Sequence, residues 1–282
     1  MEYILKFMKI QVIGCFFITL PLTLVAAQVD TVLIQSSSMN KTIRCVVVKP
    51  DGYDQNNENR YPAVYLLHGY NGSYSDWIKK APRIKMLTDR FDVLIICPDG
   101  AKNSWYFDSP DDRAMQYETH ITKEVISFID ERYNTRKGRE GRAITGLSMG
   151  GHGAMYLALR HPEWFGAAGS MSGGVDLTPF PGKWEIAHHL GKYGEQPDTW
   201  KQHSVINMLH LTAKLKMAFI IDCGTEDFFL KVNRTLHERM LYRNIPHQYT
   251  ERPGGHNWEY WQEAVDYQLL FFGRFFSQGE FN

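Results

Sequence analysis

The chain has 282 residues, of which 44% are hydrophobic and 22% are charged, with 31 basic and 31 acidic side chains. This length suits one large α/β domain with a complete core, or at most two small domains. Nucleic-acid binding needs clustered Lys and Arg side chains, so the balanced and mixed charge argues against a nucleic acid as the partner.

The first residues have the composition of a secretory signal peptide. Lys6 and Lys9 give a positive start, residues 10–25 are almost wholly apolar, and small residues follow at Ala26 and Ala27. These features predict an exported protein, periplasmic or extracellular, with residues 1–27 removed and no stable membrane span left after cleavage. A retained anchor is the alternative, although the apolar run falls short of the ~20 residues that span a bilayer.

Three cysteines remain after residue 27, at Cys45, Cys97 and Cys223. An odd and sparse set is not a disulfide framework, and its spacing does not match a metal site. We therefore predict buried thiols, and neither a metal nor another cofactor.

From residue 28 to residue 282 the sequence predicts one α/β domain. Short apolar or β-branched runs predict strands, at 31–35, 42–48, 63–67, 92–97, 142–146, 165–171, 216–222 and 247–251. The first two are expected to pair as an antiparallel hairpin. Helical spacing of apolar residues predicts helices, at 74–91, 111–133, 149–160 and 259–276. This alternation is typical of a mostly parallel sheet with helices on both faces.

The stretch from about 174 to 212 breaks the alternation and is rich in Gly, Pro, Trp and His. Long irregular insertions in compact domains usually have a function. Because the stretch follows a strand whose carboxyl end borders the expected ligand crevice, we predict a cap over the site. A loop that wraps the far surface is the alternative.

The strongest motif is Gly146-Leu147-Ser148-Met149-Gly150, which lies directly between a predicted strand and a predicted helix. In a nucleophile elbow this turn exposes the serine Oγ at the top of the sheet. The surrounding glycines allow strand and helix to approach closely. The motif predicts an α/β-hydrolase fold with Ser148 as the nucleophile.

A nucleophilic serine needs a base that a third group orients, and in this fold the chain order is Ser, acid, His. His256 lies in a Gly-rich loop between the last predicted strand and the last helix, so it is the predicted base. Asp227 is the predicted acid, with Glu226 as the runner-up. Asp222 still belongs to the preceding apolar run and is interpreted as a residue that ties the loop together.

The oxyanion formed during acyl transfer needs two N–H donors. Met149, directly after the nucleophile, supplies one, and Tyr70, in the turn after the strand at 63–67, supplies the other. His68 in the same turn is interpreted as a structural residue. Trp105, Tyr106, Phe228 and Trp258 are candidate substrate-binding aromatics, although a packing role is open for each of them.

Several of these motifs together resemble the esterase D group and carbohydrate esterase family 1, which include tributyrin, feruloyl and acetylxylan esterases, S-formylglutathione hydrolases and mycolyltransferases. The motifs are Leu66-Leu67-His68-Gly69, Asn103-Ser104-Trp105-Tyr106, Gly146-Leu147-Ser148-Met149-Gly150-Gly151 and Gly224-Thr225-Glu226-Asp227. The resemblance covers most of the chain from about residue 31. It implies the triad of Ser148, Asp227 and His256, with Tyr70 and Met149 as oxyanion donors.

The leading hypothesis is an exported serine carboxylesterase for short acyl, acetyl or feruloyl esters, with a small molecule or plant polysaccharide as the substrate. Acyl transfer to a sugar hydroxyl and thioester hydrolysis of the S-formylglutathione kind are the alternatives. A catalytically dead binding module is disfavoured by the complete triad. The oligomeric state is open, with a homodimer among the options.

Overall fold

The computed structural model describes residues 27–56, 58–214 and 216–278. The predicted signal peptide therefore lies, except for Ala27, outside the described residues. The strands are β1 (Gln28–Ser36), β2 (Lys41–Lys49), β3 (Ala63–Leu67), β4 (Leu94–Pro98), β5 (Arg142–Gly146), β6 (Ala167–Met171), β7 (Ala218–Gly224) and β8 (Gln248–Arg252). They form one eight-stranded sheet in the order β1-β2-β4-β3-β5-β6-β7-β8.

The sheet is parallel from β4 to β8, and the antiparallel hairpin of β1 and β2 extends it along β4. The α-helices are α1 (Asp76–Lys80), α2 (Ile84–Phe91), α3 (Tyr117–Thr119), α4 (Ile126–Arg132), α5 (Met149–Arg160), α6 (Ala187–Leu190), α7 (Pro197–Gln202), α8 (Leu230–Tyr242) and α9 (Trp258–Gln278). A π-helical stretch, His120–Val125, joins α3 to α4. These elements confirm the predicted mostly parallel α/β sheet.

Helices cover both faces of the sheet, and every residue of β3, β4, β5 and β6 is therefore buried. Tyr65 and Leu67 of β3 belong to a core cluster shared with α4 and α5. Val64 and Leu66 of the same strand belong to the opposite cluster, shared with α2 and α9. Alternate side chains of a strand point to opposite faces, so each face has its own core.

Two predicted helices differ from those in the structure. The helix predicted at 74–91 is two helices, α1 and α2, because Pro82 has no N–H to donate and disfavours helical geometry at Ala81, where φ is −130° and ψ is 61°. The helix predicted from residue 111 begins only at Tyr117. Before it, Asp112 Oδ1 accepts a hydrogen bond from the Ala114 N–H at 2.8 Å, which stabilises a turn instead of a helix.

Cys45, Cys97 and Cys223 are buried free thiols. Within the described ranges, no helix is both long and apolar enough to cross a lipid bilayer. The carboxyl ends of the parallel strands lie at one edge of the sheet, and the loops that follow β3, β5, β7 and β8 meet there.

Candidate active site

Ser148 occupies a tight turn between β5 and α5, with φ of 54° and ψ of −116°. This left-handed backbone is strained for a residue with a side chain, and the turn is held by the Ser148 N–H, which donates to Met171 O at 2.9 Å. A Cβ at Gly146 would lie 2.6 Å from the backbone of Gly150, and one at Gly150 would lie 2.6 Å from carbonyl oxygens of the strand-end residues Leu67 and His68. Only glycine fits at these two positions, so the sequence favours this turn.

A continuous hydrogen-bonded chain joins the three predicted catalytic side chains. His256 Nε2 lies 2.9 Å from Ser148 Oγ, and His256 Nδ1 lies 2.8 Å from Asp227 Oδ2. Asp227 is buried, and its Oδ1 accepts a hydrogen bond from the Phe229 N–H at 2.8 Å. With the Nδ1 proton shared with Asp227, Nε2 is free to accept the Ser148 proton.

The two other acids considered from the sequence do not contact His256. The carboxylate of Asp222 binds the Arg252 guanidinium and accepts a hydrogen bond from the Tyr260 hydroxyl, and these contacts join β7 to β8 and α9. Burial raises the pKa of Asp222, while Tyr260 and Arg252 act in the opposite direction. Glu226 is exposed. Asp222 therefore has the structural position that the sequence indicated.

The Tyr70 and Met149 amides lie at the places expected for oxyanion donors. Tyr70 follows β3 and Met149 is the first residue of α5, where a helix amide has no partner within its helix. In the part of the chain that the structure describes, neither N–H donates to a protein acceptor. Gly69 allows the turn after β3 to lie close to Leu147, because a Cβ at Gly69 would lie 2.6 Å from Leu147 Cδ1.

His68 supports the turn that carries Tyr70. Its Nδ1 lies 2.8 Å from Gly69 O, and its Nε2 accepts the Gly100 N–H at 2.8 Å. With Nε2 an acceptor, Nδ1 carries the proton, and burial lowers the pKa of the ring. Both nitrogens are thus used structurally. The described residues contain no cluster of three His, Cys, Asp or Glu that could hold a metal.

A cavity of about 440 Å³ opens above Ser148. Its wall includes the glycine-rich turn after β3, the predicted catalytic serine and histidine, a charged pair of α1, and several aromatic rings: Gly69, Tyr70, Asn71, Gly72, Asp76, Lys80, Leu147, Ser148, Trp184, Phe228, His256, Trp258 and Trp261. Phe228 and Trp258 thus lie where the sequence placed them. Trp184, Trp261 and Lys80 line the cavity without having been predicted.

Trp105 and Tyr106 do not line this cavity, and the expectation that they contact substrate is corrected. Both rings are buried in the core. Trp105 Nε1–H donates to Trp184 O at 3.1 Å, and the Tyr106 hydroxyl donates to His68 O at 3.0 Å. Tyr106 has φ of 61° and Trp105 has φ of 52°, so this turn directs both side chains inward, under the residues that form the site.

Only part of the predicted cap at 174–212 borders the cavity. The 3₁₀ turns Val205–Asn207 and Leu209–Lys214 contact α5 instead, and α7 contacts the first of these turns. Trp184 reaches the cavity, where its ring stacks on Phe228 with centroids 5.7 Å apart. Glu185 Oε2 accepts hydrogen bonds from Asn103 Nδ2 at 2.8 Å and from the Tyr70 hydroxyl at 3.3 Å. The one sequence signal that indicates a role for Trp184 in the cavity wall is that a tryptophan occurs in an irregular insertion.

Residues 36–272 match the family model named Esterase. An acetyl esterase of Caldicellulosiruptor saccharolyticus is 30% identical over 243 residues, which span 80% of this chain and 90% of that protein. An endo-1,4-beta-xylanase/feruloyl esterase of Xylanibacter ruminicola is 29% identical over 158 residues, 52% of this chain but 22% of that protein.

A solved structure of a ferulic acid esterase superimposes with a TM-score of 0.77 and 30% identity, covering 89% of this chain and 98% of that one. The family match at residues 36–272 includes the loops that carry Ser148, Asp227 and His256. The chain belongs to the Esterase family, with an α/β-hydrolase fold, and is a carboxylic-ester hydrolase.

Proposed function

We propose that this enzyme is an exported serine carboxylesterase that removes acetyl or feruloyl groups from plant polysaccharide through an acyl-enzyme. The observation that carries the proposal is the hydrogen-bonded chain from Asp227 through His256 to Ser148 Oγ, with distances of 2.8 and 2.9 Å. Ser148, at the end of this hydrogen-bonded chain, lines a cavity that is large enough for a small acyl group.

The geometry supports a two-step reaction. Ser148 Oγ attacks the ester carbonyl while His256 Nε2 takes the serine proton, and Asp227 stabilises the imidazolium that forms. The Tyr70 and Met149 amides donate to the oxyanion of the tetrahedral intermediate. The intermediate collapses, His256 returns the proton to the leaving alcohol, and the acyl group stays on Ser148. Water, deprotonated by His256, then attacks the acyl-enzyme and releases the carboxylic acid.

Three features support the choice of acyl group and alcohol. The relatives carry the names acetyl esterase, xylanase/feruloyl esterase and ferulic acid esterase. The rings of Trp184, Phe228 and Trp258 offer flat apolar surface beside the serine. Lys80 in the cavity wall is exposed to solvent, which leaves room there for a large alcohol.

Export is supported by the sequence of residues 1–27, which has the positive, apolar and small-residue regions of a signal peptide. N-terminal sequencing of the protein recovered outside the cytoplasm tests this part. We expect the mature chain to begin at Gln28. A recovered chain that still begins at Met1 would contradict cleavage and leave the anchor as the better proposal.

A hydrolysis panel tests the enzymatic part. It compares p-nitrophenyl acetate, butyrate and octanoate, methyl ferulate, acetylated xylan and S-formylglutathione, with the wild type beside Ser148→Ala. Ser277→Ala, an exposed serine of α9, is the matched control. We expect the wild type and Ser277→Ala to hydrolyse acetylated xylan or methyl ferulate equally well. Ser148→Ala should hydrolyse neither. Preference for S-formylglutathione, or product appearing as a transferred acyl sugar, would overturn the proposed substrate.

A further inference from the structure

A second cavity, of about 530 Å³, is lined by Tyr74, in the loop that also carries Tyr70. Its wall is formed by the hairpin of β1 and β2, two tyrosines and one carboxylate: Leu33, Lys41, Thr42, Ile43, Arg44, Tyr74, Asp99 and Tyr117. None of these residues takes part in the ester chemistry described above.

The second cavity is close to the first along the chain. Tyr74 follows Tyr70 by four residues, so their Cα atoms are at most ~14 Å apart. The loop between them is fixed to the sheet, because the Tyr74 N–H donates to Asp99 Oδ2 at 3.3 Å and the Asn71 N–H donates to Lys102 O at 2.8 Å. Tyr74 of the second cavity therefore lies within ~14 Å of Tyr70 of the first, so the two cavities are close enough for one polymer to enter both.

The cavity presents two cations over aromatic rings. The guanidinium carbon of Arg44 lies 5.9 Å from the centroid of the Tyr74 ring, and Lys41 Nζ lies 4.9 Å from that of Tyr117. Neither cation forms an ion pair with a carboxylate anywhere in the described ranges. Lys41 Nζ donates to a backbone carbonyl, Ala114 O.

Asp99 is the one acidic side chain in the cavity wall, and its oxygens already have partners. Oδ1 accepts the Ala101 N–H at 2.9 Å, and Oδ2 accepts the Tyr74 N–H. Both oxygens thus bind backbone donors, and the exposed Arg44 guanidinium keeps free donors, while the Asp99 and Asp112 carboxylates act electrostatically on Lys41. A site with free cationic donors beside ring faces matches a ligand that has both a carboxylate and a flat apolar face.

We propose that this cavity binds a carboxylated sugar residue, a uronate, of the polysaccharide whose ester is held at Ser148. The Arg44 guanidinium forms a two-pronged hydrogen bond with the sugar carboxylate, Lys41 adds a second charge, and the Tyr74 ring packs against the sugar face. The choice of a polymer rests on the proposed function. The binding of a uronate to the cavity is a separate claim about these residues.

Binding to Ser148→Ala tests the cavity without turnover. The probes are trigalacturonate, a glucuronate-bearing xylo-oligosaccharide and neutral xylotriose, titrated by calorimetry. Arg44→Gln is the test variant. Arg132→Gln is its matched control, because Arg132 is an exposed arginine whose guanidinium also lies 5.9 Å from a ring centroid, that of Phe128.

We expect at least one acidic probe to bind more tightly than xylotriose, and Arg44→Gln to weaken that binding by about tenfold or more, as for a lost hydrogen bond to a charged group. Arg132→Gln should leave it unchanged, and added salt should weaken it. Equal binding of acidic and neutral probes, or equal loss in both arginine variants, would overturn the proposal. The acidic probe that binds more tightly identifies the polymer type.

Kinetics with Ser148 intact separates this proposal from the proposed function. Arg44→Gln should keep the kcat/KM of p-nitrophenyl acetate and raise KM for acetylated acidic polysaccharide several-fold. If no polysaccharide ester is hydrolysed but the binding of acidic probes still depends on Arg44, the proposed substrate is wrong and the uronate site is retained. If polysaccharide esters are hydrolysed with no effect of Arg44, the site fails and the proposed function stands.

Discussion

The hydroxyl of Tyr70 donates a hydrogen bond to Glu185 Oε2 at 3.3 Å, which joins the loop of the proposed oxyanion amide to the segment that borders the cavity. The same oxygen accepts Asn103 Nδ2–H at 2.8 Å. Glu185 has φ of 56° and the preceding Trp184 has φ of 50°, so these contacts hold a strained backbone in place. Substrate therefore meets a wall built from two distant parts of the chain.

Removing this link should affect catalysis more than stability. For Glu185→Ala we expect kcat for methyl ferulate to fall by about three- to tenfold, because Tyr70 and Asn103 lose the carboxylate that joins them to the segment of Trp184. The free energy of unfolding should change by less than about 1 kcal/mol, as is usual for exposed contacts. Steady-state kinetics and urea unfolding measure both. Glu195→Ala, in an exposed pair of the same insertion, should change neither; an equal loss there would contradict a specific link.

Asp222 within β7 and Asp227 after it should give opposite phenotypes. Asp227→Asn removes the group that orients His256, and we expect kcat to fall by about 10⁴ with little change in stability. Asp222→Asn weakens the contacts with Arg252 and Tyr260, and we expect about 1–3 kcal/mol of destabilisation with kcat largely retained. Kinetics beside denaturant unfolding checks the pair. Loss of kcat in Asp222→Asn alone would reverse the assignment.

His152, buried in α5, should make the protein sensitive to acid. Burial lowers the pKa of His152 to about 4, whereas the unfolded chain has a histidine pKa near ~6.5. Below pH ~6.5 the unfolded state binds a proton that the folded state does not, so stability falls as the pH drops from about 6.5 to about 4. This loss amounts to roughly 3 kcal/mol for the one side chain.

His152→Gln keeps a donor for His203 O, to which His152 Nε2 is bonded at 2.8 Å, and removes the titrating group. We therefore expect the variant to be less stable at pH 7.5 but to lose less stability between pH 7 and pH 4.5. Urea unfolding at several pH values compares the two slopes. Parallel slopes for wild type and variant would show that His152 does not contribute.

Trp184 should determine preference among acyl groups. Its ring lies beside Phe228 in the cavity wall, so we expect Trp184→Ala to raise KM for methyl ferulate by about five- to twentyfold, which corresponds to the ~1–2 kcal/mol of a lost aromatic contact. The kcat/KM of p-nitrophenyl acetate should change less than threefold. Trp164→Ala, a half-buried tryptophan outside the cavity, controls for general loss of packing. Equal effects on both esters would contradict a role in selection.

The parts of the site that the sequence predicted are those whose geometry is local. Gly146 and Gly150 flank Ser148 within one turn, and the close backbone contacts of that turn leave no room for a side chain at either glycine. His256 was recognisable because a Gly-rich loop between a strand and a helix lies at the carboxyl edge of the sheet. Such local motifs can be recognised from the residue order alone.

The parts that were missed depend on contacts between distant segments. Trp184 borders the cavity because Glu185 binds Asn103 and Tyr70, which are more than 80 residues away in sequence. Trp105 was expected in the crevice, but its turn directs the ring into the core. The periodicity of apolar residues also predicted one continuous helix across Pro82, where the missing N–H of proline divides it into α1 and α2. These placements follow from packing that residue spacing does not encode.

The central claim is that Ser148 becomes acylated, and covalent labelling tests it most directly. The protein is treated with a fluorophosphonate, digested with trypsin and analysed by mass spectrometry. Residues 143–160 form one tryptic peptide in which Ser148 is the only serine. We predict one adduct per chain on this peptide, no adduct in Ser148→Ala, and much slower labelling in His256→Ala. Labelling of another residue, or equal labelling of Ser148→Ala, would contradict the account.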